Sequence, residues 1–198
     1  MHMIDALVSP AVGGIMYAAS AAATAVSVNK IKKMPDAEKK LPVMAVSGAF
    51  VFAAQMINFT IPGTGSSGHI GGGILLAALL GEGPAFLAIA AVLLIQCLFF
   101  ADGGLLALGA NIFNMGVIPC LLVYPLLFRC IMKKKSRGRL IGASFASAVV
   151  SLQLGAFAVV LETVCSGITQ LPFWNFVLLM QPIHLAMESG KDWLRQRC

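Results

Sequence analysis

Charged side chains are scarce in this sequence. Only 11% of the 198 residues are Asp, Glu, Lys or Arg, whereas 59% are apolar. The mean hydropathy of +0.89 lies far above that of soluble domains. Uncharged stretches cover 6–29, 41–81, 83–101, 103–128 and 140–161, and about 20 such residues cross a bilayer as a helix. We expect an all-α, polytopic transmembrane bundle of about six or seven spans, with 1–198 forming one integral-membrane domain.

Basic residues are missing from two long segments, 1–29 and 41–128. One basic cluster consists of Lys30, Lys32, Lys33, Lys39 and Lys40, and six basic residues fall in 129–139. Because cytoplasmic loops collect Lys and Arg, both clusters are predicted to be cytoplasmic and the N-terminus external. The predicted spans are 8–28, 41–60, 73–82, 84–100, 105–128 and 140–161, followed by an apolar segment at 174–183. A signal peptide is not expected, because it needs a basic N-terminal region, so the N-terminus should be the mature one.

Several motifs that would indicate other functions are absent. The five cysteines include no C-x-x-C pair, which argues against a zinc site or a disulfide framework. No G-x-x-x-x-G-K-[ST] motif is present, which argues against ATP binding by this chain. The stretch 63–68 fits G-x-G-x-x-G only formally, since that pattern requires a βαβ unit. The net charge of +6 follows from topology and does not indicate nucleic-acid binding.

Glycine is concentrated in IPGTGSSGHIGGG at 61–73. Irregular backbone is tolerated at membrane depth only where it is buried in protein or lines a cavity. We therefore expect a loop that dips into the helical bundle.

The three histidines, His2, His69 and His184, are the obvious metal-ligand candidates. Taken singly, each is more often structural than a ligand, and His2 could belong to a frayed terminus. However, the Met1 amine, the amide nitrogen joining residues 1 and 2, and the His2 imidazole can form two adjacent chelate rings. His69 would add a fourth nitrogen and complete a square, which is typical of Ni(II) or Cu(II) and also suits low-spin Co(II), whereas zinc prefers a tetrahedron.

Other polar residues could surround such a site. Carboxylates at predicted external span ends would concentrate cations, and amides could satisfy freed backbone groups, although packing explains them equally well. The external acids are Asp5, Asp102 and Glu162, with Glu82 inside. The candidate neighbours of the metal ligands are Asp5, Ser66, Ser67, Asp102, Asn111 and Asn114.

These features resemble the CbiM/NikM family, the substrate-binding components of energy-coupling-factor cobalt and nickel transporters. The resemblance rests on Met1-His2 followed by Asp5 and Pro10, on GSSGH ending at His69, and on GGLLALGANIFNMG at 103–116. It implies a metal held by the Met1 amine, the His2 amide and imidazole, and His69. The chain departs from the family at Gly68, where Ser is usual, and at Asp102, where His is frequent.

The resemblance also implies a role and partners. The chain would capture Ni(II) or Co(II) externally and deliver it to an ATP-driven importer, for nickel uptake or for cobalamin biosynthesis. Its partners would be a transmembrane coupling protein and cytoplasmic ATPases, with a small accessory membrane subunit as a further candidate. The location would be the bacterial or archaeal cytoplasmic (inner) membrane. The pairs Ala18–Ala22 and Ala19–Ala23 offer small-residue faces for the coupling protein or for packing within the chain.

The polar end MESGKDWLRQRC departs from the apolar helix with which such proteins finish. One codon string that encodes these residues, read from its third base, encodes Gly-Ile-Gly-Glu-Gly-Leu-Val-Thr-Ala-Ala-Val. We hypothesise a lost nucleotide after Ala186, which would remove the last span. The codons of the gene test this hypothesis directly.

The sequence supports two other classes of function less well. An intramembrane enzyme is disfavoured because the sequence has no H-E-x-x-H motif and no plausible Ser/His/Asp set. A purely structural membrane subunit is the other alternative, for which His2→Ala would have no measurable effect. The sequence thus predicts a transporter subunit and not an enzyme.

Overall fold

The computed structural model describes residues 2–35, 37–57, 59–61, 66–68, 71–134, 136–169 and 172–182, with the backbone alone at 59–61 and 66–68. Met1 and His69 lie outside the described residues. The same holds for His184 and for the hypothesised frame change after Ala186.

Helices make up most of the described chain. They are α1 (Pro10–Lys32), α2 (Ala37–Gln55), α3 (Gly73–Leu80), α4 (Glu82–Phe100), α5 (Leu108–Ile131), α6 (Arg137–Cys165) and α7 (173–182). Within the described ranges, α1, α4, α5 and α6 are long and apolar enough to cross a membrane. The chain is therefore a helical, multi-pass membrane protein.

Several helices end at other residues than the predicted spans, and two of these differences have a clear cause. The span expected at 41–60 ends as a helix at Gln55, and Phe59–Ile61 forms a strand instead. The span expected at 140–161 extends to Cys165, because Glu162 is buried inside the helix, where Asn114 hydrogen-bonds its carboxylate. The length of an uncharged run therefore underestimates the length of a helix that contains a carboxylate with a partner in the bundle.

The helix α5 changes its winding along its length. Residues Leu108–Ile112 and Arg129–Ile131 are α-helical, whereas Phe113–Phe128 are π-helical and include Pro119 and Pro125. Proline has no N–H group for the regular hydrogen-bond ladder, so its presence disfavours ordinary α-helical winding. The span begins at Leu108, three residues after the predicted start.

A small antiparallel sheet lies at one end of the helices, where an irregular loop was predicted. Its strands are β1 (His2–Met3), β2 (Phe59–Ile61) and β3 (Ser66–Gly68), in the order β1-β3-β2. His2 is opposite Ser67, and Met3 is opposite Ser66. Serine and glycine have low strand propensity, so local sequence did not indicate β3. The pairing brings the start of the chain beside the Gly-rich segment.

The short helix α3 lies inside the bundle, where it packs against α4 and α5. Its Leu76 and Ala77 are fully buried, as are Phe86 of α4 and Met115 of α5. The Gly-rich segment runs from β2 through β3 to the start of α3. The buried position of α3 therefore anchors the C-terminal end of this segment.

Ion pairs and hydrogen bonds define two opposite ends of the bundle. At one end Glu82 contacts Arg129 at 2.8 Å and Lys30 at 3.8 Å, so both basic clusters begin there. At the other end the Ser9 amide donates to Ser166 Oγ at 3.0 Å, just after α6 ends. The N-terminal strand therefore lies at the end of the bundle opposite the basic clusters.

Single-cysteine variants that retain only Cys130 or only Cys165 test this arrangement. Both side chains are exposed, one beside the basic cluster and one beside Ser166. In right-side-out vesicles a membrane-impermeant maleimide should label Cys165 directly but Cys130 only after permeabilisation. A variant that retains only buried Cys120 should stay unlabelled. Labelling of Cys130 alone in intact vesicles would contradict an external N-terminus.

Candidate metal centre

The backbone of β1 is held by contacts from distant parts of the chain. The Met3 N–H donates to Asn111 Oδ1 at 2.8 Å, and the Met3 carbonyl accepts from Asn111 Nδ2 at 3.1 Å and from the Gly104 N–H at 2.9 Å. Met3 is fully buried and His2 is 2% exposed. His2 is therefore a fixed interior residue, and its interpretation as part of a frayed terminus is wrong.

The turn between α4 and α5 supplies the surface against which β1 packs. Gly103 has φ +89°, and a Cβ there would lie 2.9 Å from Asn111 Nδ2 and 3.3 Å from the His2 ring. A Cβ at Gly104 would overlap the Asp5 side chain. The glycine pair is thus required by the close approach of the N-terminal segment.

The Asp5 side chain anchors the residues that follow β1. Its Oδ1 accepts a hydrogen bond from the Ala107 N–H at 3.0 Å, immediately before α5 begins. Carboxylates are favourable at helix N-termini, where backbone N–H groups lack helical partners. Asp5 therefore holds the N-terminal segment to the start of α5.

The His2 imidazole faces the carboxylate of Asp102. Nδ1 of His2 lies 3.3 Å from Oδ1 of Asp102, and the two side chains are 2% and 12% exposed. Burial lowers the pKa of His2 to about 3, since desolvation disfavours the charged ring. The ring is consequently neutral at physiological pH, which is the form that binds metals.

The structure gathers only some of the predicted site residues. His2 lies in β1, Asp5, Asp102 and Asn111 lie around that strand, and Ser66 and Ser67 lie in the adjacent strand. Within the described ranges no group of three or more His, Cys, Asp or Glu side chains could hold a metal.

Asn114 and Glu162 are placed differently from the prediction. Asn114 Nδ2 donates to Glu162 Oε2 at 2.8 Å, and both side chains are buried. Asn114 therefore bonds a carboxylate and not freed backbone. Glu162 is 7% exposed and lies within α6, so its charge does not face the external solution.

Two glutamines that the sequence analysis did not single out connect the site to the Gly-rich segment. Gln55 Nε2 donates to the Gly71 carbonyl at 2.8 Å, and Gln96 Nε2 donates to Gln55 Oε1 at 3.2 Å. The backbone carbonyl of Gln96 accepts a hydrogen bond from the backbone N–H of Asp102 at 3.1 Å. The sequence contained one signal for the buried position of these residues. An isolated glutamine in an apolar span faces the bundle interior, where it can find a polar partner.

Comparison with known proteins places this arrangement in a family. The sequence matches the CbiM family, described as the cobalt uptake substrate-specific transmembrane region, over residues 2–190. The chain belongs to the CbiM family. The family and the relatives described below are metal transport proteins and not enzymes.

Individual relatives agree with this assignment. A Haloquadratum walsbyi protein provisionally named a metal transport protein is 36% identical over 80% of this chain and 72% of its own length. The fused nickel transport protein NikMN of Rhodobacter capsulatus is 36% identical over 72% of this chain and 39% of its own length. A crystal structure of a truncated transition metal transporter matches with a TM-score of 0.83 and 28% identity, covering 100% of this chain and 99% of that one.

The curated relatives are often longer than this member of the CbiM family. The chain spans 72%, 38%, 54% and 39% of the lengths of four of them. Activities that those proteins exert as a whole therefore carry over to this chain only as proposals.

Gly103→Ala tests whether the close approach at the turn maintains the site. The new Cβ would meet Asn111 and the His2 ring, and the positive φ adds about 1–2 kcal/mol of strain. We expect a lower melting temperature and weaker Ni(II) or Co(II) binding by calorimetry. Gly14→Ala is the matched control, because a Cβ there meets nothing within 4 Å. Equal melting and binding in the two variants would contradict the packing argument.

Proposed function

We propose that this CbiM-family chain captures Ni(II) or Co(II) at the external membrane face and delivers it to an ATP-driven importer. Relatives named for nickel transport and for cobalt transport support both metals as candidates. The chain would supply recognition, while partner subunits would hydrolyse ATP. The predicted external position of the N-terminus supports capture from outside.

The proposed ligands are four nitrogens: the Met1 amine, the His2 amide nitrogen, the His2 imidazole and the His69 imidazole. The observation that carries this proposal is the pairing of buried strand β1 with β3, which ends at Gly68, the residue before His69. Both histidines thus belong to, or directly follow, neighbouring strands. Such a set of nitrogen donors suits a square-planar ion.

Preorganisation of His2 supports this reading. Free peptides must lose rotational freedom when they chelate a metal, and that loss weakens binding. Here the Asn111 hydrogen bonds and the Gly103–Gly104 turn fix the His2 backbone before the metal arrives. The His2 ring is already neutral, so no proton from a charged imidazole opposes binding.

For partners, we propose a transmembrane coupling protein and cytoplasmic ATPases, in the bacterial or archaeal inner membrane. The coupling protein would contact a small-residue stripe on α1 formed by Gly14, Ala18 and Ala22, which are exposed at i, i+4 spacing. Ala19 and Ala23 are half-buried and suit packing within the bundle. Small side chains allow close helix approach in membranes.

Extending the chain by four residues before Met1 tests the ligand set. A leader cleaved to leave Ser-Gly-Ser-Gly before Met1 converts the proposed amine ligand into an amide. A single added residue would not serve, because it would place His2 third from a new amine and create another four-nitrogen chelate. We expect Ni(II) affinity to fall by at least about a hundredfold, or about 3 kcal/mol, with an unchanged melting temperature. Calorimetry on this variant, with the same four residues added after Cys198 as the control, provides the measurement. Unchanged affinity after N-terminal extension would falsify the proposed site.

Proton release gives a second test. At pH 7 the amine is mostly protonated, with an ordinary pKa of about 8, and the amide must lose its proton to ligate. His2, with a pKa of about 3, is already neutral and releases none. We expect about two protons per Ni(II), and an affinity that falls about a hundredfold per pH unit between pH 7 and pH 6. Calorimetry in buffers of different ionisation enthalpy measures the number, and release of fewer than one proton contradicts amide ligation.

A further inference from the structure

We propose that the Asp102 carboxylate is a fifth ligand of the captured metal and raises the affinity for Co(II) relative to Ni(II). This inference rests on the proposed function, because it assumes that the N-terminal chelate forms. It begins from the contact between His2 Nδ1 and Asp102 Oδ1.

The chelate determines which ring nitrogen must bind. A metal held by the His2 amide nitrogen closes a six-membered ring through Cα, Cβ, Cγ and Nδ1, whereas Nε2 points away from that amide. Asp102 faces Nδ1. The carboxylate therefore lies on the side of the imidazole where the metal must sit, and not behind the ring.

The separation of the two atoms fits ligands that share an ion. Metal–nitrogen and metal–carboxylate bonds are each about 2.0–2.2 Å, so two such ligands at a right angle lie about 2.9 Å apart. The observed Nδ1–Oδ1 distance is 3.3 Å. A metal bonded to Nδ1 thus needs a shift of only about half an ångström to gain the Asp102 oxygen.

Charge balance favours the same assignment. A divalent ion bound to one deprotonated amide and three neutral nitrogens leaves a net charge of one, and His2 is almost completely buried. Burying an unbalanced charge is costly. The Asp102 carboxylate, 12% exposed, would bring the total to zero. Asp5, the other acid of this region, is exposed and occupied with the Ala107 N–H.

The alternative role of Asp102 is to orient the imidazole. Carboxylates commonly accept the N–H of a metal-bound histidine, while the metal binds the opposite ring nitrogen. In this chain that arrangement would put the metal on Nε2, outside the chelate ring with the His2 amide. The two roles are therefore mutually exclusive if the N-terminal chelate forms.

A fifth oxygen donor changes metal preference. Four planar nitrogens favour Ni(II) and Cu(II), whereas an axial carboxylate makes the site five-coordinate. Low-spin Co(II) has a singly occupied orbital along that axis and gains a bond there, whereas square-planar Ni(II) has that orbital filled. The axial carboxylate should therefore benefit Co(II) more than Ni(II).

The test is X-ray absorption and calorimetry on the full chain loaded with Co(II) alone or Ni(II) alone, in wild type and Asp102→Asn. The amide is nearly isosteric, so folding should persist, and the melting temperature checks it. We expect five nitrogen or oxygen scatterers around Co(II) in the wild type and four in the variant, with the square-planar pre-edge feature appearing only in the variant. Affinity for Co(II) should fall about tenfold to a hundredfold, and affinity for Ni(II) by less.

Glu82→Gln is the control, because it removes one carboxylate at the opposite end of the bundle. It should leave the coordination number unchanged. Four scatterers in wild type, or an unchanged spectrum in Asp102→Asn, would overturn the inference while leaving the four-nitrogen site intact. If extension before Met1 leaves binding unchanged, the proposed N-terminal chelate itself fails.

Discussion

The amide of Asn111 holds the start of the chain in place, and the candidate site depends on this contact. One side chain satisfies both the N–H and the carbonyl of Met3 from 108 positions away. Buried backbone groups need such partners, because leaving one unsatisfied costs about 1–3 kcal/mol. Ordinary chain termini fray, but this one becomes a buried strand. A terminus held in this way can present its own nitrogens to a metal without first losing rotational freedom.

Close packing at the α4–α5 turn makes that contact possible. Gly103 and Gly104 leave space for the His2 ring and for Asp5, and Asp5 in turn bonds the start of α5. Two side-chain hydrogen bonds, from Gln96 to Gln55 and from Gln55 to the Gly71 carbonyl, then connect the end of α4 to the Gly-rich segment. The N-terminal strand, the turn and this segment therefore form one hydrogen-bonded unit.

The polar contacts in the spans divide into two groups with different roles. The group around Met3 and Asp102 lies at the end of the bundle that carries the N-terminus. The pair Asn114–Glu162 joins α5 to α6. A carboxylate in an apolar helix is costly unless it is bonded, and Asn114 supplies that bond. This pairing explains why α6 extends through Glu162 to Cys165.

The sequence by itself determined the membrane environment, the helical class, the positions of most helices and the family. These features depend on hydrophobicity and on short motifs, which act locally and can be read along the chain. It could not determine the sheet, because Ser66–Gly68 has little strand propensity and pairs only with residues remote in sequence. It also could not distinguish Asn111, which clamps Met3, from Asn114, which bonds Glu162, although the two lie in one short motif. Only the tertiary structure decided those roles and placed Asp102 beside His2 Nδ1, since each results from distant segments meeting in three dimensions.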